Sequence, residues 1–424
     1  MSAQTPPPPE PAWLRGALSR RVSRRGMLRA MGLGVGALGA ASVLGACSVA
    51  GSQKPPFPDN YWAGQKKTGR LNWDNWPLYI DTDTVNGKTV YPSIQLFEQQ
   101  TGIKVNYSEN IQDVDTAFSS MRPVISAGQP TGYDLMVLTN GISLSALIDL
   151  NFLTPLNQDM MPNFFANAGP TAKNPSYDPG NKFTVAWQSG ITGIAYNPKY
   201  VKRKITSFQD LLDPAFKGKV GMFGDVQDLP NLALCGVGAN PETSTEADWR
   251  KAAQMLTKQR DDGLVRAYYL QNYLNPLSNG DIWISMAWSG DIFQQNVSTP
   301  GLDLQFVVPE EGGVVWTDNL CIPRYAAHPV DAMELINFVY EPSVAAMIAE
   351  YVNYFTPVPS ARQYILKDAK DADNKDDADS LLEIADSELV FPTQQMLSKL
   401  YNYRTLTPTE LETWNQIFEP VFQS

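Results

Sequence analysis

From Arg70 onward, short apolar runs alternate with longer amphipathic ones, and no other feature of the chain restricts its fold so closely. Residues 70–76 read as a strand, 91–100 as a helix with Gly102 just past its end, and 103–107 as a second strand. Helix 113–127, strand 133–139 and helix 143–150 continue the rhythm. Parallel strands need a crossover between them and helices supply it, so the pattern predicts an α/β fold of mostly parallel sheets flanked by helices. Residues 184–196 contain two strand-like runs around Gly190 and Gly193, suited to a chain crossing between lobes. A second unit of the same style follows, with helix 207–212, strand 220–223, a helix from Leu229, helix 246–260, and strands 281–288 and 302–308. Helical pattern returns at 330–340, 342–351 and 409–418, so the tail packs back on lobes already made. At roughly 150 residues per domain, 424 residues suffice for two lobes with a site between them.

Ahead of this body lies a segment of another kind. Residues 1–46 hold six Arg, no Lys and a single acid, Glu10. Arg24 and Arg25 precede the apolar, glycine-rich run 30–44, which is too short to span a bilayer as a helix. That order describes an export signal. It resembles the twin-arginine type, with Met27 where that pattern usually has Phe, and general secretory export stays open. Leu44-Gly45-Ala46-Cys47 resembles the lipobox of bacterial lipoproteins, which implies cleavage before Cys47, a lipid on its sulfur and a membrane anchor. Residues 47–68, with Pro, Gly and Lys and no apolar period, then read as the lipidated Cys and a flexible tether.

Without residues 1–46 the chain keeps 27 basic against 43 acidic side chains. Such a balance repels phosphate and argues against nucleic acid as a partner. It suits a cationic ligand, although surplus carboxylates more often serve to solvate a surface. Cys235 and Cys321 sit in apolar runs and are expected as small buried free thiols, a disulfide being chemically permitted outside the cytoplasm. Neither belongs to a CxxC pair and His328 is the only histidine, so no metal and no cofactor is expected. The acidic run 368–379 fails the EF-hand spacing: counted from Asp371, the fifth and sixth positions are Lys375 and Asp376, where an oxygen ligand and Gly are required. It reads as a solvated surface loop.

Three constellations carry chemistry. Trp76 and Tyr79 follow the first strand, where Pro77 stops regular structure at the carboxyl end of a parallel strand, the place where ligands bind in open α/β sheets; a mere plug at the domain edge would look the same. Asp225 and Asp228 lie three residues apart after strand 220–223, with Pro230 in an early helical turn; helix capping would account for one of them. In an extended chain Trp316 and Asp318 project from one face, so a ring and a carboxylate can meet the same ligand.

Read in order, Asn75-Trp76-Pro77-Leu78-Tyr79, Tyr133-Asp134-Leu135-Met136-Val137, Asp225 with Asp228, Met286-Ala287-Trp288-Ser289-Gly290, the 311–318 segment and Asn353-Tyr354-Phe355-Thr356-Pro357 resemble the spermidine/putrescine-binding proteins of ABC importers, over residues 70–362. The resemblance implies a two-lobed periplasmic-binding-protein-like fold of type II with the ligand cleft between lobes. Residues 69–189 plus 316–362 would form lobe 1, and 190–315 plus 363–424 lobe 2. It implies Trp76, Tyr79, Trp288, Trp316 and Tyr354 as the aromatic box, Asp225, Asp228 and Asp318 as the amine-binding carboxylates, and Thr139 as a hydroxyl facing the ligand. Asp228 stands where a spermidine binder carries Glu, Pro77 replaces a side chain that can hydrogen-bond, and Gly141 lies where an aromatic hydroxyl occurs, which leaves the choice of polyamine open. The expected protein is thus an extracytoplasmic, lipid-anchored monomer that captures a polyamine by hinge closure and delivers it to a membrane permease. A binder of another organic cation is the nearest rival. An exported enzyme is the more distant one, since the body lacks G-x-S-x-G and G-x-G-x-x-G after a strand.

Overall fold

The computed structural model describes residues 53–423 apart from 112, 271 and 300; the expected export signal and Cys47 lie outside the described residues. In chain order the strands are β1 (Arg70–Asp74), β2 (Asp83–Val85), β3 (Lys88–Val90), β4 (Lys104–Ser108), β5 (Leu135–Thr139), β6 (Thr184–Tyr196), β7 (Val220–Phe223), β8 (Val265–Tyr269), β9 (Ile284–Trp288), β10 (Gln305–Val307), β11 (Gly313–Cys321) and β12 (Leu400–Asn402). Ten of them form one sheet in the order β4-β1-β5-β11-β6-β9-β7-β8, with β10 on β6 and β12 on β11, while β2 and β3 make a separate hairpin. At one end β4, β1 and β5 run parallel, and at the other β9, β7 and β8 do. Between them β11 and β6 pair antiparallel with each other and with their neighbours β5 and β9.

Those two central strands carry the two-lobed plan. Along β6, Val185 and Trp187 pack in a first core with Leu71, Trp73 and Leu135, whereas Ile194 and Ala195 pack in a second with Val220, Ile284 and Trp249. On β11, Val314 joins the second core and Leu320 the first. Side chains alternate across a strand, and β5 accordingly sends Leu135 and Val137 into the first core and Met136 and Leu138 into a smaller one on the opposite sheet face. The two strand-like runs expected around Gly190 and Gly193 are one continuous strand. A Cβ at Gly190 would lie 2.1 Å from the Trp316 ring and one at Gly193 would lie 2.6 Å from the Val307 carbonyl oxygen, so the glycines permit close packing there instead of breaking the strand.

Three expectations need correction. Residues 53–68 are no free tether: Trp62 packs against the first core, and its indole N–H donates to the Pro155 carbonyl at 3.0 Å. Their polar composition conceals the aromatic residues Phe57, Tyr61 and Trp62, which are half-buried against the body and give the segment apolar contacts that offset the entropy of a loose chain. The acidic run 368–379 is mostly helical, divided between Ala361–Asp371 and Lys375–Asp386, because Asn374 caps the second helix by accepting the Asp377 N–H at 2.9 Å while most of the acids, Asp377 apart, are exposed. Residues 363–424 also do not stay together. Ile365, Ile384 and Val390 pack in the first core, and Tyr403, Trp414 and Phe418 in the second, so the chain crosses between lobes a third time.

Cys235 and Cys321 are buried and unpaired, as expected. Among the described residues no helix is long and apolar enough to cross a membrane. A buried carboxylate, Asp134, ties the first lobe together: it accepts from the backbone and side-chain N–H groups of Asn72 at 2.9 and 3.0 Å and from the His328 N–H at 2.9 Å. Asp134→Ala strands these donors in an apolar setting and should cost about 3 kcal/mol in urea unfolding, with Asp134→Asn costing less.

Candidate functional site

The cleft is built where β6 and β11 pass from one core to the other. After β1 the chain turns sharply at Pro77 and Leu78, and the turn is pinned by Asn75, whose side chain accepts from the Trp76 N–H at 2.8 Å and donates to the Tyr79 carbonyl at 3.4 Å. The Trp187 indole N–H donates to the same carbonyl at 3.1 Å. So held, Tyr79 donates its hydroxyl to one oxygen of Asp318 at 2.7 Å, and Thr139 at the end of β5 donates to the other at 2.5 Å. The register of the sheet makes this meeting possible, since Thr139 and Asp318 are paired residues of β5 and β11.

A second buried carboxylate stands on the side of the second core. Asp228 opens the helix Asp228–Gly236 and accepts from Thr192 on β6, from the Tyr403 hydroxyl at 2.7 Å and from the Trp288 indole N–H at 3.1 Å. Asp225, just upstream, accepts the backbone N–H groups of Gln227 and Asp228 at 2.7 and 2.5 Å. Asp225 is not the N-cap, which is Gln227 with no side-chain cap bond, but it holds the backbone just ahead of the helix through those two N–H groups.

Rings join the walls. Tyr354 stands edge-on to Tyr79 with centroids 5.5 Å apart and tilted against Trp316 at 5.7 Å, and it lies so close over Gly290 that a Cβ there would come within 2.4 Å of its ring. Trp316 presses on Gly190 in the same way. Next to Gly290, Asp291 accepts from the Tyr273 hydroxyl at 3.0 Å and from the Tyr354 hydroxyl at 3.5 Å, so an acid outside the expected set anchors the ring that bridges the cleft.

Trp76 stands apart from this network. Its indole N–H donates to the Val137 carbonyl at 3.0 Å, and its ring packs with the first and third cores. The structure therefore brings Tyr79, Thr139, Asp318, Trp316 and Tyr354 together, gathers Asp225, Asp228 and Trp288 in a second group beside the second core, and leaves Trp76 beside β5. Thr192, Tyr273, Asp291 and Tyr403 lie outside the set of residues expected from the sequence. Asp291 lies three residues after Trp288, and that spacing was the available signal.

The electrostatics are unusual for so many acids. Among the described residues no ion pair engages Asp225, Asp228 or Asp318. Burial pushes Asp318 up to about 6, even though the hydroxyls of Thr139 and Tyr79 favour its charged form. Burial also raises Asp225, with the neighbouring Asp228 carboxylate adding to it, and burial raises Asp228 against the pull of its three donors. An arrangement of this kind holds negative charge ready at a cost that an incoming cation would relieve. No cluster suited to a metal ion occurs among the described residues.

Residues 133–386 match the model of a family described as bacterial extracellular solute-binding protein. The chain is 28% identical over 330 residues to the spermidine/putrescine-binding periplasmic protein of Salmonella typhimurium, covering 78% of this chain and 85% of that one. It is 29% identical over 296 residues to the Escherichia coli protein of the same name, covering 70% and 79%. Among solved structures, the spermidine/putrescine ABC transporter substrate-binding protein PotD from Streptococcus pneumoniae superposes with a TM-score of 0.68 at 23% identity, covering 83% of this chain and 98% of that one. The Tp0655 (TpPotD) lipoprotein of Treponema pallidum gives a TM-score of 0.67 at 20% identity, covering 84% and 100%. These likenesses establish the two-lobed fold, and the family match, which spans more than half of its length, makes this chain a member of the bacterial extracellular solute-binding proteins.

Proposed function

We propose that the protein is the extracytoplasmic binding component of an ABC importer and captures a polyamine, spermidine or putrescine, between its lobes. One observation carries the reading: two carboxylates, Asp318 and Asp228, are buried among rings with no basic partner among the described residues. A polyamine is an apolar rod with separated ammonium groups, so flat rings suit its methylenes and an anion suits each charge. The names of the relatives in Salmonella and Escherichia agree with that ligand. A ring facing an ammonium contributes about 0.5 to 2 kcal/mol, whereas micromolar binding needs about 8 kcal/mol. The carboxylates therefore set affinity. Tyr79, Trp288, Trp316 and Tyr354 shape the slot with Trp76 at its edge, Thr139 orients Asp318, and Asp225 and Asp291 add negative charge. Capture is non-covalent, the protein acts as a monomer lipidated at Cys47, and the closed form is what the permease recognises.

Contacts between the lobes support closure. The Gln227 side chain, on the second lobe, reaches the first: its oxygen accepts from the Ile142 N–H at 3.4 Å and its nitrogen donates to the Asn140 carbonyl at 3.3 Å. Gly141 makes room for it, since a Cβ there would lie 2.1 Å from the Gln227 oxygen, and its φ of +131° suits glycine alone. A ligand that touches both walls favours this closed arrangement by binding it better than the open one.

Calorimetry on the mature protein should show binding of spermidine or putrescine and none of lysine, with Asp318→Asn weakening it at least tenfold; unchanged affinity in that variant would remove Asp318 from the site. Affinity should also rise with pH, by up to about tenfold per unit below about 6, because a cation recruits the charged form of Asp318. The ligand-free protein should behave oppositely. A carboxyl raised in the folded state favours folding while protonated, so melting temperature should fall as pH climbs through about 6, and Asp318→Asn should flatten part of that fall. Gly141→Ala should block the Gln227 contact and enlarge the radius of gyration in solution scattering with saturating ligand, with little change in circular dichroism.

A further inference from the structure

Residues 53–68 are bound to the first lobe by contacts that begin at their very start. The Lys54 N–H donates to the Leu150 carbonyl at 2.9 Å, and its ammonium donates to the Ser126 carbonyl at 2.7 Å. Ser126 ends the helix Val114–Ser126 and Leu150 is the C-cap of Ile142–Asp149, so one lysine satisfies carbonyls at two helix C-termini, where a cation is also favoured by the helix dipole. Gln53 donates to the Asp149 carbonyl at 2.8 Å, and Asn151 donates to that of Lys54 at 2.9 Å. Arg324, 8% exposed, donates to the carbonyls of Pro55 and Asn151, both at 2.9 Å, and its guanidinium lies 4.2 Å from the centroid of the Phe57 ring. At the other end Thr68 and Gly69 donate their N–H groups to Asp331 at 2.9 and 2.7 Å.

We infer that this docked strap holds the end of the first lobe formed by the C-termini of helices Val114–Ser126 and Ile142–Asp149 against the phospholipid headgroup surface. The inference rests on the reading of Cys47 as the lipid-bearing residue. Residues 48–68 as a free chain would reach up to about 70 Å from the bilayer, whereas docking leaves only residues 48–52, with a reach of about 18 Å. The lobe therefore meets the membrane by one end, and the second lobe swings on the hinge strands from a fixed base. The turn beside Lys54, Ala127-Gly128-Gln129-Pro130, is exposed and uncharged, and the exposed Asp149 is the one acid in the last turns of the two helices, set against the basic Arg122 and Lys54 of the same end.

The test uses the mature chain coupled through the Cys47 thiol to a maleimide phospholipid in a supported bilayer; Cys235 and Cys321 are buried and leave Cys47 as the reactive thiol. Neutron reflectometry reads the gap between headgroups and protein. A gap within about 18 Å is expected, widening when Phe57→Ser and Arg324→Ala release the strap, and widening also when a Gly-Ser stretch of about 16 residues is inserted after Ser52, a change that leaves the folded body untouched. Hydrogen exchange should show slow exchange at Lys54 in the parent and fast exchange in the released variant. A wider gap in the parent, or one that neither change moves, overturns the inference. Mass spectrometry of the membrane fraction separately shows whether Cys47 is lipidated in the cell, so failure of the anchor is distinguishable from failure of the strap.

Discussion

The structure depends on keeping carboxylates buried with no basic partner among the described residues. Asp318 and Asp228 are instead held by hydroxyl and indole donors, which orient the charge without cancelling it. A neighbouring Lys or Arg would have stabilised the empty protein and competed with any cation. The hydrogen-bonding groups are thus a compromise between folding and readiness to bind.

That compromise is spread over both lobes by β6 and β11. Each strand belongs to two cores, so a residue near its middle, such as Thr192 or Trp316, lies where one core gives way to the other. Glycines at 190 and 290 let the rings of Trp316 and Tyr354 press directly against backbone, which sets how closely the rings approach the strands.

Much of this was legible in the residues. The strand-helix alternation forecast β1, β4 and β5 with the helices between them, and the period-two reasoning placed Trp316 and Asp318 on one surface of β11. Boundaries slipped by one to four residues because caps and hydrogen bonds, not periodicity, end an element: Gly102 with φ +74° stops one helix and Asn353 with φ +58° another. Contacts between distant segments were not legible. Tyr403 reaches Asp228 across 175 positions, and Lys54 reaches Ser126 across 72, distances at which no local pattern speaks. The docked strap was hidden for the same reason, its few aromatic residues being outnumbered by polar neighbours.

Asp225 illustrates what double employment of a side chain does to adaptability. Its carboxylate terminates the backbone at the start of Asp228–Gly236 while standing beside the slot, so a lineage that altered it to change ligand preference would also loosen a helix end. Asp318 is bound only to other side chains, Tyr79 and Thr139, and can be exchanged together with them. Diversification of ligand preference should therefore proceed by drift on the β11 wall, with the opposite wall comparatively frozen.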